Sequence, residues 1–99
     1  MYLIREVLSC NPGKVRPMVE KFKAMSTALK EMGQKPFRVL TDMSGEPFWT
    51  VVAEMEIASI DEFLELQQKL VANESVRKLM AGYHDLVKSG RREIFQIEG

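Results

Sequence analysis

Residues 48–63 read Phe48-Trp49-Thr50-Val51-Val52-Ala53-Glu54-Met55-Glu56-Ile57-Ala58-Ser59-Ile60-Asp61-Glu62-Phe63. Two periodicities meet in this stretch. From Phe48 to Ile57, alternate residues fall on opposite faces of an extended chain. Trp49, Val51, Ala53, Met55 and Ile57 are all apolar, while Phe48, Thr50, Val52, Glu54 and Glu56 are mixed. At Ser59 the pattern changes. Ser59-Ile60-Asp61-Glu62 is a capping box, in which Ser59 and Glu62 satisfy each other's free N–H groups. Ile60, Phe63, Leu64, Leu70 and Val71 then form an apolar stripe at helical spacing. A strand feeding a capped helix is one half of a split βαβ unit.

The other half lies upstream. Ser44-Gly45-Glu46-Pro47 reads as a turn joining this strand to an earlier extended segment, where Phe37, Val39 and Met43 alternate with Arg38, Leu40 and Asp42. Before it lies the clearest helix. Val15, Met18, Phe22, Met25, Leu29 and Met32 recur at spacings of three and four, and Val19 widens the stripe. Pro17 is compatible with a helix only in the first turn, so the start is Lys14 or Val15, after the turn Asn11-Pro12-Gly13. Gly33 supplies a left-handed end. The chain opens on an extended segment, Tyr2 to Ser9, with Tyr2, Ile4, Glu6 and Leu8 on one face and Leu3, Arg5 and Val7 on the other.

Downstream, the helical region runs from Ser59 toward Lys88. Asn73-Glu74-Ser75 is a second start signal, followed by Val76, Leu79, Met80, Tyr83 and Val87. Two consecutive helices are therefore expected, the second ended by Gly90. The last segment, Arg91 to Glu98, is extended, with Phe95 and Ile97 against Arg92, Ile94 and Gln96.

The order strand, helix, strand, strand, helix, strand predicts an α+β domain of ferredoxin-like βαββαβ form. Residues 1–99 make one domain, with a four-stranded antiparallel sheet and helices on one face. A chain of this length buries about 60–68% of its unfolded surface, enough for one modest core. Both faces of the expected sheet carry apolar side chains, so the face without helices needs a cover. A second copy packed sheet to sheet about a two-fold axis supplies one, and a homodimer is expected.

Composition excludes several classes. With 14 basic and 14 acidic residues, no net field draws nucleic acid or an anionic membrane. The halves differ: residues 1–50 carry eight basic and five acidic side chains, and residues 51–99 carry six and nine. Such a dipole either helps two copies pack head to tail or simply marks a solvated surface. Cys10 is the single cysteine, which rules out an internal disulfide and suits a reducing cytoplasm. The early apolar run Tyr2-Leu3-Ile4 is cut by Arg5-Glu6, so neither a signal peptide nor a membrane span is read. No phosphate-binding glycine loop, metal-ligand spacing or nucleophile elbow is present, and the sequence specifies no cofactor.

A resemblance rests on Arg5 ahead of Asn11-Pro12-Gly13-Lys14, on Phe48-Trp49 after Gly45, on Ser59-Ile60-Asp61-Glu62-Phe63, and on the stretch Leu86 through Ile97. With these the chain resembles the dimeric α+β barrel superfamily, and within it small NIPSNAP-like proteins. The resemblance covers nearly the whole chain. It implies two ferredoxin-like subunits joining their sheets into a barrel. That superfamily includes cofactor-free monooxygenases acting on phenols, haem-degrading enzymes, isomerases and ligand-sensing domains, and the residues quoted match the catalytic pattern of none of them.

The residues able to carry chemistry have two readings each. His84, the lone histidine, is either a general base or haem ligand aimed into a cleft between helix and sheet, or a half-buried helix residue with one hydrogen bond. Trp49 and Tyr83 either wall an aromatic pocket or pack in the core. The seven methionines either line an adaptable cavity or fill the core. Arg5, Arg38, Glu54 and Glu56 are charges inside strands, which need partners or water. They either bind an anionic or phenolic substrate or form ion pairs that fix register and dimer geometry. Two functions follow. One is binding or transformation of a hydrophobic aromatic molecule in the sheet–helix cleft, the transformation being of monooxygenase-like or isomerase-like type. The other is a non-catalytic ligand-binding or protein-interaction module.

Overall fold

The first strand, β1 (Tyr2–Cys10), occupies the middle of a four-stranded sheet. The computed structural model describes residues 1–99. After β1 come α1 (Val15–Glu31), β2 (Arg38–Thr41), β3 (Thr50–Ile57), α2 (Ile60–Ala72), α3 (Glu74–Leu79), the one-turn α4 (Tyr83–Leu86) and β4 (Val87–Gln96). The sheet order is β2-β3-β1-β4, and every neighbouring pair is antiparallel. This is the ferredoxin-like βαββαβ fold expected from the sequence.

Local chemistry fixes the elements. α1 starts with Lys14 as its N-cap, so Pro17 falls in the first turn, where its missing N–H is no loss. The helix ends as a Schellman motif. Gly33 is left-handed at φ 77°, the Gly33 N–H donates to the Lys30 carbonyl at 3.1 Å, and the Gln34 N–H donates to the Leu29 carbonyl at 2.9 Å. Ser59 caps α2, its hydroxyl accepting from the Glu62 N–H at 3.1 Å. The expected break falls at Asn73, whose side-chain oxygen accepts from the Val76 N–H at 3.0 Å and starts α3.

Three expectations need correction. β3 begins at Thr50, and Phe48 and Trp49 lie in the turn before it. Trp49 adopts φ 68°, a left-handed backbone that alternation cannot foresee, and its carbonyl accepts from the Cys10 N–H at 2.8 Å, lengthening the β1–β3 ladder. The helical region ends at Leu86, and Gly90 lies inside β4. There its missing side chain makes room for Leu8, since a Cβ would come within 2.7 Å of Leu8 Cδ2. In α2 the buried residues are Phe63 and Leu66, whereas Leu64 and Val71 are exposed.

Helices cover one face of the sheet. The molecule measures 35 × 34 × 18 Å, and the short dimension is about that of one sheet plus one helix layer. The other face stays open, with Leu40 and Phe95 exposed upon it. Between sheet and helices the core forms two separate groups. Leu8, Cys10, Met18, Val19, Phe22 and Val51 make the larger one. Ile4, Ile57 and Phe63 make the smaller. The site lies between them.

Candidate functional site in the sheet–helix cleft

A cavity of about 240 Å³ separates the two core groups. Its floor is the helix-facing side of the sheet. Glu6 lies there between Ile4 and Leu8 on β1, with Ala53 opposite on β3 and Arg92 opposite on β4. The space has a simple origin: this row of the sheet offers a small side chain and a charged pair where its neighbours offer bulky apolar ones. α1 contributes Phe22, Met25 and Leu29, and α2 contributes Phe63, Leu66, Gln67 and Leu70. Met80 and Tyr83, either side of the left-handed Gly82, close one end.

The polar groups gather on the floor and at that end. Arg92 Nε donates to Glu6 Oε1, and the guanidinium lies over the Phe63 ring, 4.9 Å from its centroid. Burial first, then the charge of Glu6 and of Cys10, pushes the Tyr83 phenol above its ordinary value, so it stays protonated. Burial also raises the Cys10 thiol, which is therefore not an activated nucleophile. Two clamps hold the segment carrying Tyr83. Lys21 Nζ donates to the Leu79 and Ala81 carbonyls at 3.1 and 2.6 Å. The Asn11 amide donates to the Asp85 carbonyl at 3.0 Å.

The sequence-predicted residues divide. Tyr83 lines the cavity. His84 does not: it is exposed on α4, its ring edge-on to Tyr83 with centroids 5.2 Å apart. Trp49 is 46% exposed beside Met43 and Phe48 at a surface depression outside the cleft. Arg5 and Arg38 meet at Glu54, but on the open face. Arg5 Nε donates to Glu54 Oε2 at 3.1 Å, and Arg38 donates to the other oxygen. Glu54 is only 7% exposed despite lying on that face, because the two arginines cover it. Arg5 also reaches Glu93, and Arg91 bridges Glu93 and Glu46. The result is an unbroken alternating chain, Arg38–Glu54–Arg5–Glu93–Arg91–Glu46, that crosses the whole open face and ties down the β2–β3 loop. Glu56 is exposed outside it. Arg5 and Arg38 therefore point away from the cleft and cannot neutralise charge within it.

Sequence reasoning missed Glu6, Arg92 and Gln67 as cleft residues. One signal was available for Glu6, the single charge on an otherwise apolar strand face. Arg92 and Gln67 carried none.

The fold is a ferredoxin-like α+β sheet with one open face. Solved structures with the same architecture include a NIPSNAP family protein of unknown function from Agrobacterium tumefaciens, with TM-score 0.81 at 14% identity, covering 96% of this chain and 86% of that one. A NIPSNAP domain protein from Burkholderia xenovorans is similar with TM-score 0.79 at 12% identity, covering 99% and 95%. An antibiotic biosynthesis monooxygenase is similar with TM-score 0.73 at 10% identity, covering 100% of both chains. At such identities the likeness is one of fold. No family model and no curated protein matches the sequence. No helix is long and apolar enough to cross a membrane.

Proposed function

We propose that this protein binds a small hydrophobic aromatic molecule in the cleft between its sheet and helices, and that it works as a homodimer joined through its open sheet faces. The cavity between the two core groups carries the first part. A core that could have closed is instead held apart by Glu6, Arg92 and Ala53, and its walls are aromatic rings and thioethers. The second part is supported by the shape. A broad face of 35 × 34 Å is large enough for a standard interface, about 800 Å² per partner. Three of its arginines and three of its carboxylates are already paired with one another, so that cluster brings no net charge to the seam. The buried, unpaired Cys10 suits a reducing compartment such as the cytoplasm.

His84 has no part in this proposal, because a histidine acting on the ligand needs a cavity beside its ring. Met43 and Phe48, 96% and 89% exposed on the β2–β3 loop, favour a second reading, a protein-interaction module working through the open face.

Native mass spectrometry of freshly purified protein, followed by titration with uncharged one- and two-ring aromatics, tests the main reading. Saturable binding that is lost when Ala53→Leu fills the cavity is expected. Absence of binding, or binding indifferent to Ala53→Leu, leaves the interaction module.

A further inference from the structure

We infer that the free edge of β2, with the groove between it and α1, takes up an extended acidic segment of a partner protein as a fifth strand of the sheet. This surface lies apart from the cleft and from the open face, and the inference depends on neither.

Register identifies the free groups. β2 pairs only with β3, so one side of its backbone has no neighbouring strand. Arg38 lies opposite Glu54 and Leu40 opposite Val52, and the Asp42 N–H continues the same row by donating to the Thr50 carbonyl at 3.3 Å. In an antiparallel ladder, residues that exchange hydrogen bonds alternate with residues whose backbone groups face away. Arg38, Leu40 and Asp42 therefore face β3, and Phe37, Val39 and Thr41 face outward. Phe37 is already served. The Ser26 hydroxyl of α1 accepts from its N–H at 3.2 Å and donates to its carbonyl at 2.9 Å, taking both roles of a neighbouring strand. Val39 and Thr41 have no such substitute, which leaves two N–H and two C=O groups along the edge.

The groove alongside sets the chemistry. It holds about 480 Å³ between α1 and β2. Its only charged side chains are Arg16 and Lys23, both exposed and neither in an ion pair. α1 runs antiparallel to β2, since Ser26 meets Phe37 before the strand begins and Val15 adjoins Thr41 at its end. Lys23 thus stands toward Val39, and Arg16 toward Thr41. A strand laid here gains backbone hydrogen bonds, and its carboxylates meet two unanswered cations. Nucleic acid fits less well, because its phosphates accept hydrogen bonds but donate none to the two carbonyls. A second copy paired edge to edge about a two-fold axis would bring both sets of cations together. The opposite edge, β4, is instead blunted by Lys88, Arg91 and Arg92.

The test uses two capped peptides of about eight residues, one alternating Glu with Val and one alternating Lys with Val. Fluorescence anisotropy reads binding, and NMR reads amide exchange in the protein. The acidic peptide should bind and slow exchange of the Val39 and Thr41 amides by about tenfold or more. Arg16→Gln with Lys23→Gln, both at exposed positions, should weaken binding by about three- to tenfold. Thr41→Pro removes one outward donor at an edge, where proline is tolerated, and should weaken binding by a similar factor of about three to ten. If Thr41→Pro fails to fold, the glutamine pair decides. Equal binding of the basic peptide, binding that leaves both amides unprotected, or no binding of either peptide at millimolar concentration overturns the inference. So does slow exchange of both amides in the free protein, which would mean that a second copy already holds the edge.

Discussion

Glu6 and Arg92 form the one cross-strand ion pair on the helix-facing side of the sheet, while Arg5, Arg38 and Arg91 find their carboxylates on the open side. The rows on either side of the pair carry Ile4 with Met55 and Leu8 with Val51. A charged pair in that layer keeps the two halves of the core apart. Replacing both partners by apolar residues of similar volume should hold or raise stability, because neither charge then gives up water. Glu6→Leu with Arg92→Met is expected to unfold at the same or higher denaturant concentration than the native chain. Arg92→Met alone should cost about 1–2 kcal/mol, less than the ~3–5 kcal/mol of a fully buried pair, because Glu6 keeps some contact with water. A double variant weaker than Arg92→Met alone would contradict this account.

Val52 tests the dimer. It lies on the open face opposite Val7 and Leu40, in the middle of the surface proposed to meet a second copy. Val52→Asp places an unpaired charge in that layer, and sedimentation should then give the 11.4 kDa single chain where the native protein gives twice that mass. A native protein that sediments only as the single chain refutes the assembly.

Tyr83 should titrate above the ordinary tyrosine range. Its folded-state value is raised by burial first and by Glu6 and Cys10 next, so the protonated phenol is favoured in the fold. The stability it contributes is fully present below the unfolded value, about 10, and is lost as pH rises through the folded value. Phenolate absorbance of the native chain against Tyr83→Phe isolates the residue. Glu6→Gln should lower its midpoint, and a midpoint untouched by Glu6→Gln would mean that the carboxylate does not act on it.

Gly90→Ala should destabilise by about 1 kcal/mol, because the new methyl group meets Leu8 Cδ2 at 2.7 Å and Leu8 is packed in the core. Trimming that side chain with Leu8→Val should recover part of the loss. Thermal unfolding of the two single variants and the double variant measures this, and strict additivity would show that the clash is not the cause.

The parts of the fold that were legible are those set by neighbours in sequence. The Ser59 cap, the Asn73 break and the left-handed Gly33 depend on groups within a few residues, and apolar spacing gave the element order. Trp49 was misread because alternation reports side-chain polarity and is blind to a positive φ. Gly90 was misread because a glycine after a helical stripe and a glycine beneath a leucine look alike until the strands are paired. Glu6 was visible as a misplaced charge, but its partner lies 86 residues away. The cavity was invisible for another reason: it comes from volume that Ala53 does not fill, and periodicity does not measure volume. The open-face cluster was half legible: alternation put Glu54 on the mixed face, opposite Ala53 and Met55, but which arginines it would meet there depended on register.

β1 is made first of the four strands and holds the centre of the sheet, whereas β4, made last, is its partner on one side. Tyr2 lies opposite Gln96, and the Ile97 N–H donates to the Met1 carbonyl at 3.0 Å. The strand that everything else is built around therefore waits, half unpaired, until the end of the domain has been synthesised. Such long-range pairing slows folding, because the loop must close before its contacts can reward it. It also makes the C-terminal strand the guard of the interior: a chain cut short before Val87 exposes the hydrogen-bonding edge of a central, apolar strand, the form of incomplete protein most prone to join its neighbours into aggregates.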